Sequence, residues 1–283
     1  MKPNGKGDVR GTLRVILEPT PRPPAQNIAL EEAISRLVAR GTSPPTFRLW
    51  RGSPAAIVGR SQAAEAEVDL RHCRDRGLPV IRRPSGGGTV LHGPKNLNYS
   101  LYLPQVTNSN VLEEGLKRTE PLLEVLQKLG LKVEARKNGV FLGKWKLGGV
   151  AQSRRWGLLH HGTLLLGKDR IIEEMELSLR AGRKDYEKGE AAVASQPSPV
   201  VSLEELSSAG NLSLNRFCQD WVRAVAHSLN LRPKEGKLQP AELQLGERLT
   251  EEKYGRREWN LKGPKSQTQN RRSRDQIISS RGE

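Results

Sequence analysis

With 283 residues, 35% of them apolar, the chain is long enough for one large domain or two small ones around a buried core. Its 47 Lys and Arg against 31 Asp and Glu leave a formal net charge of +16, which suits an anionic partner without choosing among nucleic acid, a membrane surface and an acidic protein. Two cysteines exclude a disulfide framework, no Cys/His spacing suits zinc, and neither a membrane span nor a signal-peptide pattern is found, so a cytoplasmic protein without a metal site is expected.

A flexible N-terminus is expected over residues 1–11, and GTLRVIL (11–17) alternates as a strand. Asn27 to Arg40 then reads as a helix, with Ile28, Ala29, Ala33, Leu37 and Val38 on one face and Glu31, Glu32, Arg36 and Arg40 turned away. TFRLWRG and AAIVGR are two further strands, and a polar helix over Val68 to Arg76 ends at Gly77, placed for a left-handed cap. Cys73, beside Leu70 in that helix, reads as a packing residue. The strands LPVIRR and LNYSLYL bracket RRPSGGGTVLHG (82–93), whose glycines therefore join strands inside a domain rather than form a linker. Asn110 to Gly130 is helical, with Leu112, Leu116, Leu123, Leu126 and Leu129 inward and Pro121 within it. LKVEAR and GVFLGKWKLGGVAQSRR are strands with a hairpin turn near Gly143 and Lys144, and LLHHGTLLL is one more. Asp169 to Ser202 is polar, and Leu214 to Leu229 is a helix that buries Phe217, Trp221, Val225 and Leu229. Residues 261–283 lack apolar periodicity and read as a basic disordered tail. This irregular alternation of strands and helices indicates an α+β fold.

Three segments carry chemistry. An ordered glycine costs roughly 0.5–1 kcal/mol relative to alanine, so Gly86, Gly87 and Gly88 in succession call for something that approaches their backbone closely. Their N–H groups form a concavity for an anion, to which Arg82 and Arg83 add fixed charge. The segment has neither the Gly-Lys-Ser/Thr ending of a phosphate loop nor the G-x-G-x-x-G spacing of a dinucleotide fold, and a plain turn between strands is its alternative. In KWKLGGVAQ (144–152), Lys146 stands in an apolar strand before two glycines, placed to offer a compact charge to a phosphoryl or carboxyl oxygen; a solvated residue on an edge strand is the alternative there. His160 and His161 in LLHHGTLLL point to opposite sides of a strand, so they do not chelate one metal and read as structural or substrate-shaping.

Taken in order, RRPSGGGTVLHGPKNLNYS, NGVFLGKWKLGGVAQ and LHHGTLLL resemble the lipoate-protein ligase family, whose catalytic domain is shared with biotin protein ligases and octanoyltransferases. NIALEEAI and EEKYGRREWN extend the resemblance over about residues 12–260, which it marks as the biotin/lipoate protein ligase catalytic domain. The resemblance implies a mixed, largely antiparallel sheet with flanking helices. It also implies a site that condenses lipoate, or octanoate, with ATP and magnesium to an acyl-adenylate. The acyl group then passes to a lysine on a lipoyl carrier domain of a 2-oxoacid dehydrogenase or a glycine cleavage H-like protein. By position it sets Arg83, Gly88, Thr89, Val90 and Leu91 against the nucleotide. Lys146 becomes the catalytic lysine, touching both the acyl carboxylate and the adenylate phosphate. Ser85, Gly86, Gly87, Asn138 and Gly149 fall in the pocket wall, and His92 and His161 at the acyl pocket. Adenylation moves negative charge onto the α-phosphate and the acyl oxygens, so positioned cations and donors serve it without a side-chain nucleophile. Gly93, Gly139 and Gly167 depart from the family, which usually carries an acidic residue at each. The chain also ends soon after EWN, where longer ligases continue into an accessory domain that a separate subunit can supply.

Two other readings stay open. An octanoyltransferase or lipoyl amidotransferase holds the acyl group as a cysteine thioester, commonly in the loop leading to the lysine motif; residues 131–145 contain no cysteine, and Cys73 and Cys218 lie in predicted helices. A non-catalytic basic binding protein would use the charge and the RRSR tail. With three Phe, five Trp and four Tyr and no paired aromatic motif for stacking bases, neither nucleic acid nor membrane is the expected partner.

Overall fold

The computed structural model describes residues 11–104, 110–168, 170–181, 183, 193–206 and 213–264. Residues 1–10 of the expected flexible arm and the tail beyond residue 264 lie outside the described residues. The chain runs β1 (Thr12–Arg22), α1 (Pro24–Ala39), β2 (Thr46–Gly52), β3 (Ala55–Val58), α2 (Ala64–Glu67), α3 (Leu70–Asp75), β4 (Val80–Arg82), β5 (Val90–His92), β6 (Asn96–Leu103) and α4 (Val111–Lys128). It continues through β7 (Glu134–Arg136), β8 (Gly139–Leu142), β9 (Trp145–Ser153), β10 (Leu158–Leu165), α5 (Arg170–Glu176), α6 (Leu203–Leu206), α7 (Leu214–Ser228), β11 (Arg232–Glu235), α8 (Pro240–Leu249) and α9 (Arg257–Lys262). Eight strands form one sheet in the order β11-β1-β2-β6-β10-β9-β8-β7, parallel where β1 meets β11 and β2 and antiparallel elsewhere. A second sheet, β4-β3-β5, has three strands. The α+β expectation, with a mixed and largely antiparallel sheet, is met. Among the described residues no helix is long and apolar enough to cross a membrane.

The period of two along the central strands separates two faces. Phe47, Leu49, Leu97, Tyr99 and Leu101 turn to the side of α4 and α7, where Trp221 and Phe217 complete the larger core. Arg48, Trp50, Asn98 and Ser100 turn the other way, toward α1, and all four are buried. That second face is polar, and it is the face that carries the site.

Several local expectations are corrected. The first helix starts earlier, because Pro24 is suited to a first helical turn. Glu31 and Glu32, expected to turn away, are 1% and 0% exposed. Each is held by partners: Glu31 by His161 and Ser100, and Glu32 by Arg36, Lys253 and Tyr254. In α4 the buried stripe is Pro121, Leu122, Val125 and Leu126, whereas Leu112 and Leu129, near the helix ends, are exposed. Neither β11 nor α8 was expected, although α8 carries Pro240 in its first turn and a Gln239/Glu242 capping box. Gly77 and Gly143 do adopt positive φ, as a helix stop and a hairpin turn.

Arg82 ties the small sheet to the end of the chain. It is fully buried, and its guanidinium donates to five carbonyls: those of Gly59, Arg60 and Gln62 in the turn after β3, and those of Trp259 and Leu261 in α9. Its backbone N–H donates to Asn260 Oδ1 at 3.0 Å. The expectation that Arg82 serves an anion site is therefore replaced by a structural role, because its protons are spent on the fold. Arg82→Ala leaves those acceptors dry and lowers the free energy of unfolding by about 3 kcal/mol or more; Arg82→Lys recovers only part, since a point ammonium cannot reach both segments. Urea denaturation monitored by tryptophan fluorescence measures both.

Candidate active site

The glycine segment joins β4 to β5, which flank β3 in the small sheet. It is wrapped around Arg83, which is 4% exposed. Arg83 Nη2 donates to the carbonyls of Gly86 and Gly88, both at 2.7 Å, Nη1 to Ile57 O at 3.1 Å, and Nε to Ser85 Oγ at 3.0 Å. Burial pulls its pKa down to about 10, which still leaves it cationic near neutrality. The run of glycines now has local causes. Gly87 has φ +90°, a conformation that favours glycine, and a Cβ at Gly88 would meet Ser195 Oγ at 3.0 Å. Gly86 has open space around it and faces the cavity.

That cavity, about 640 Å³, brings together Arg83, Gly86, Gly87, Gly88, Thr89, Val90, His92, Asn138, Lys146, Gly149 and His161. Leu91 is not on its wall; as the middle residue of β5 it turns into the cluster of Ala56, Val68, Cys73 and Leu78. Ser85 lies just behind the wall, 1% exposed. Lys146 enters beside Asn138, and its ammonium stands 5.8 Å from the centre of the Phe141 ring. Burial, followed by the charge of Arg83, lowers its pKa to about 8. Among the described residues no carboxylate pairs with it.

A chain of hydrogen bonds supports the floor. His161 Nδ1 lies 2.7 Å from Glu31 Oε1 and its Nε2 lies 2.6 Å from Ser85 Oγ, and Ser85 Oγ accepts from Arg83. Ser100 Oγ donates to the same Glu31 oxygen at 2.6 Å and accepts from Trp50 Nε1 at 3.1 Å. Against the upward pull of burial, the His161 ring and the Ser100 hydroxyl hold the Glu31 carboxyl below its ordinary range. His92 packs edge-on to Trp50 and lies 3.3 Å from Thr163 Oγ1; burial lowers its pKa to about 4, so it is neutral. His160 faces the opposite side, against Tyr99, and burial lowers its pKa to about 3. The two histidines do diverge.

Several wall residues were not singled out from the sequence. Glu31 and Ile28 come from NIALEEAI, Gln152 closes the GGVAQ strand, and Val193 to Gln196 cross the glycine segment. There Ser195 Oγ accepts from Thr89 N–H at 2.8 Å and from Gln62 Nε2 at 3.1 Å, and donates to Glu67. Nothing in the periodicity of 193–196 signals this contact, since it depends on chain crossing from over a hundred residues away. Both cysteines stand elsewhere: Cys73 is buried in the cluster under β5, and Cys218 packs against the large core on α7, with burial raising its pKa to about 11.

The three glycines at family-acidic positions are crowded: backbone closes on Gly139, whereas the ends of the Ile172 and Glu204 side chains stand against Gly93 and Gly167. A Cβ at Gly93 would lie 2.4 Å from Ile172 Cδ1, and one at Gly139 would lie 2.3 Å from Gly148 O and 2.7 Å from Lys146 Cε. At Gly167 it would lie 2.0 Å from Glu204 Oε2, so a carboxylate from α6 occupies that space and pairs with Lys95 at 2.8 Å. Among the described residues no group of three or more His, Cys, Asp or Glu is placed to hold a metal ion, and the carboxylate on the cavity wall, Glu31, is committed to His161 and Ser100. The donors present do not fit a magnesium ion held by protein ligands.

Glu31→Ala strands His161 and Ser100 in a dry site and lowers the free energy of unfolding at pH 7 by about 3 kcal/mol. Because the folded pKa of Glu31 is depressed, its contribution is present above the ordinary carboxyl range and is lost as pH falls through the folded value. Denaturant titrations of wild type and Glu31→Gln between neutral and acid pH therefore converge at the acid end.

The profile of the lipoyl protein ligase A/B catalytic domain matches residues 23–226. A protein assigned as lipoate-protein ligase A in Aeropyrum pernix is 38% identical over 157 residues, which span 55% of this chain and 58% of that protein. The octanoyltransferase LipM of Brevibacillus brevis is 30% identical over 269 residues, covering 84% of this chain and 95% of the relative. Among solved structures, a bipartite lipoate protein ligase from Thermoplasma acidophilum, studied with its E2 lipoyl domain, superposes with a TM-score of 0.73 at 25% identity, over 89% of this chain and 96% of that one. The chain belongs to the lipoyl protein ligase A/B catalytic-domain family.

Proposed function

We propose that the protein is an ATP-dependent lipoate-protein ligase that adenylates lipoate or octanoate and passes the acyl group to a lysine of a lipoyl carrier domain. The observation that carries this reading over a cysteine-thioester transferase is the content of the cavity: a desolvated ammonium, Lys146, opposite a cationic glycine segment, with both thiols elsewhere in the fold. In the first step a carboxylate oxygen of the acid bonds to the α-phosphorus of ATP and pyrophosphate leaves. In the second, the carrier ε-amine attacks the acyl carbon, AMP leaves with the bonding pair, and the amine loses a proton.

Both steps build or shift charge on phosphoryl and carboxyl oxygens, and fixed cations in a low-dielectric site stabilise that charge more than water does. Lys146 offers a mobile ammonium to those oxygens. Arg83, whose protons mostly hold the loop, contributes a positive field from behind and keeps the Gly86–Gly88 backbone in place against the cavity. Asn138, Val90 and Gly149 wall the bound acyl-adenylate, and neutral His92, together with His161, shapes the acyl end. Leu91 acts from behind β5 as packing. No step is assigned to a metal ion. A separate accessory subunit fits the same reading as a second partner.

The test is ATP–pyrophosphate exchange dependent on lipoate, which needs no carrier amine and so leaves that amine's titration out of the pH profile; the Lys146 variants then assign the limb. Exchange falls as pH rises through about 8, because Lys146 loses its charge there. Lys146→Arg moves that limb out of reach, and Lys146→Met lowers exchange by about 100-fold or more. Exchange that is unchanged in Lys146→Met removes the role.

A further inference from the structure

Beside the cavity, four cations converge on two indoles. The Trp156 ring centre lies 4.6 Å from the guanidinium carbon of Arg36 and 4.8 Å from that of Arg155. The Trp259 ring centre lies 4.2 Å from the Lys253 ammonium and 5.8 Å from the Arg60 guanidinium. Lys253 also stands 5.7 Å from Trp156, which joins the two halves. Four separate segments supply this cluster: α1, the turn after β3, the turn between β9 and β10, and the stretch before and into α9.

The charge is not balanced within the cluster. Glu32 is its carboxylate; it is wholly buried and accepts from Arg36, Tyr254 and, at 2.6 Å, Lys253. Four cations against that one anion leave a surplus of three. Arg155 is exposed, and Arg60, Trp156 and Trp259 are half-buried. Burial and then the charge of Arg155 lower the pKa of Arg60, as expected for like charges held close together. Stacking on indoles fixes the cationic groups in place, so a partner that pairs with them orders few further side chains.

Its position adjoins the site without being part of it. None of these side chains lines the cavity. Yet Arg60 N–H donates to Ser85 O at 2.8 Å, at the root of the glycine segment, and Arg154 Nη2, one residue before Arg155, donates at 3.3 Å to the carbonyl of Asn110 on the cavity wall. Helix α1 presents Ile28 and Glu31 to the cavity and Glu32 and Arg36 to the cluster.

We propose that the face built on Trp156 and Trp259 is the docking surface for a carrier domain whose lysine-bearing side is acidic, seating that domain so that its lysine reaches the adjacent cavity. This rests on the ligase reading for the identity of the carrier. A preorganised cationic surface outside the reacting pocket suits a protein face better than a single small anion, because its charges are spread over two indoles and come from side chains of four segments rather than from one loop's backbone amides. Attraction of this kind raises the encounter rate and fixes orientation.

Fluorescence anisotropy with a labelled apo lipoyl domain from a 2-oxoacid dehydrogenase measures docking directly. The double variant Arg60→Glu/Arg155→Glu is expected to raise Kd about tenfold or more and to flatten its dependence on salt. Arg60→Gln/Arg155→Gln, which keeps the stems, gives an intermediate shift, with circular dichroism reporting the fold of each. Trapping of the activated acyl group by hydroxylamine, with lipoate and ATP, stays at the wild-type rate in both. Kd and salt dependence unchanged in the glutamate variant, or no binding of the domain by wild type, overturn the proposal. Absence of hydroxamate from every form, wild type included, counts against the ligase reading instead, while the anisotropy still decides docking.

Discussion

The organisation of the site depends on burying a guanidinium. Arg83 sits beneath the glycine segment and bonds two of its carbonyls, one carbonyl of β3 and the Ser85 hydroxyl. A buried cation is tolerable only when its protons are matched by acceptors, and here the acceptors are the loop itself. Satisfying Arg83 therefore folds the loop, and folding the loop turns the backbone of Gly86 to Thr89 toward the cavity. Arg82, its neighbour in sequence, meets the same requirement on the other side of the strand with five carbonyls, three from the turn after β3 and two from α9. Adjacent residues at the end of β4 thus solve one problem twice, once for the site and once for the closure of the chain.

From Arg83 the constraint passes outward. Ser85 links it to His161, His161 to Glu31, and Glu31 to Ser100 and the central strand β6. The large sheet, the small sheet and α1 are thereby held in one register around the cavity. The sequence Ser–His–carboxylate has the connectivity of a hydrolase triad, but Ser85 lies behind the wall and already accepts a proton from Arg83. Its hydroxyl serves as a joint. Lys146 enters from the opposite strand with no fixed anion among the described residues, which suits a group meant to meet charge that appears only with the ligand.

Much of this was legible in the residues. The glycine run, Lys146 before Gly148 and Gly149, and the divergent histidines each stood out because their types are costly in strands, and the fold brings the glycines, Lys146 and His161 to one cavity while His160 turns to the opposite face. What stayed hidden required tertiary knowledge. Glu31 and Glu32 look like a solvated helix edge until α1 is found covered on two sides, and the helical pattern cannot show that. Leu91 follows the motif in sequence, yet strand alternation turns it away from the cavity its neighbours line. The division between Arg82 and Arg83 rests on the same alternation. Gly93, Gly139 and Gly167 read as losses of acidic groups; in space Gly139 is closed off by the Gly148 carbonyl and the Lys146 stem, and Gly93 and Gly167 face the ends of the Ile172 and Glu204 side chains.

The intact mass of an apo lipoyl domain after incubation with this protein tests the central claim most directly. With lipoate, ATP and magnesium present, the account predicts the gain of one lipoyl group on the carrier lysine, and no gain when ATP is left out. ATP-independent transfer from an octanoyl-acyl carrier protein, passing through an acyl thioester on Cys73 or Cys218, would contradict it.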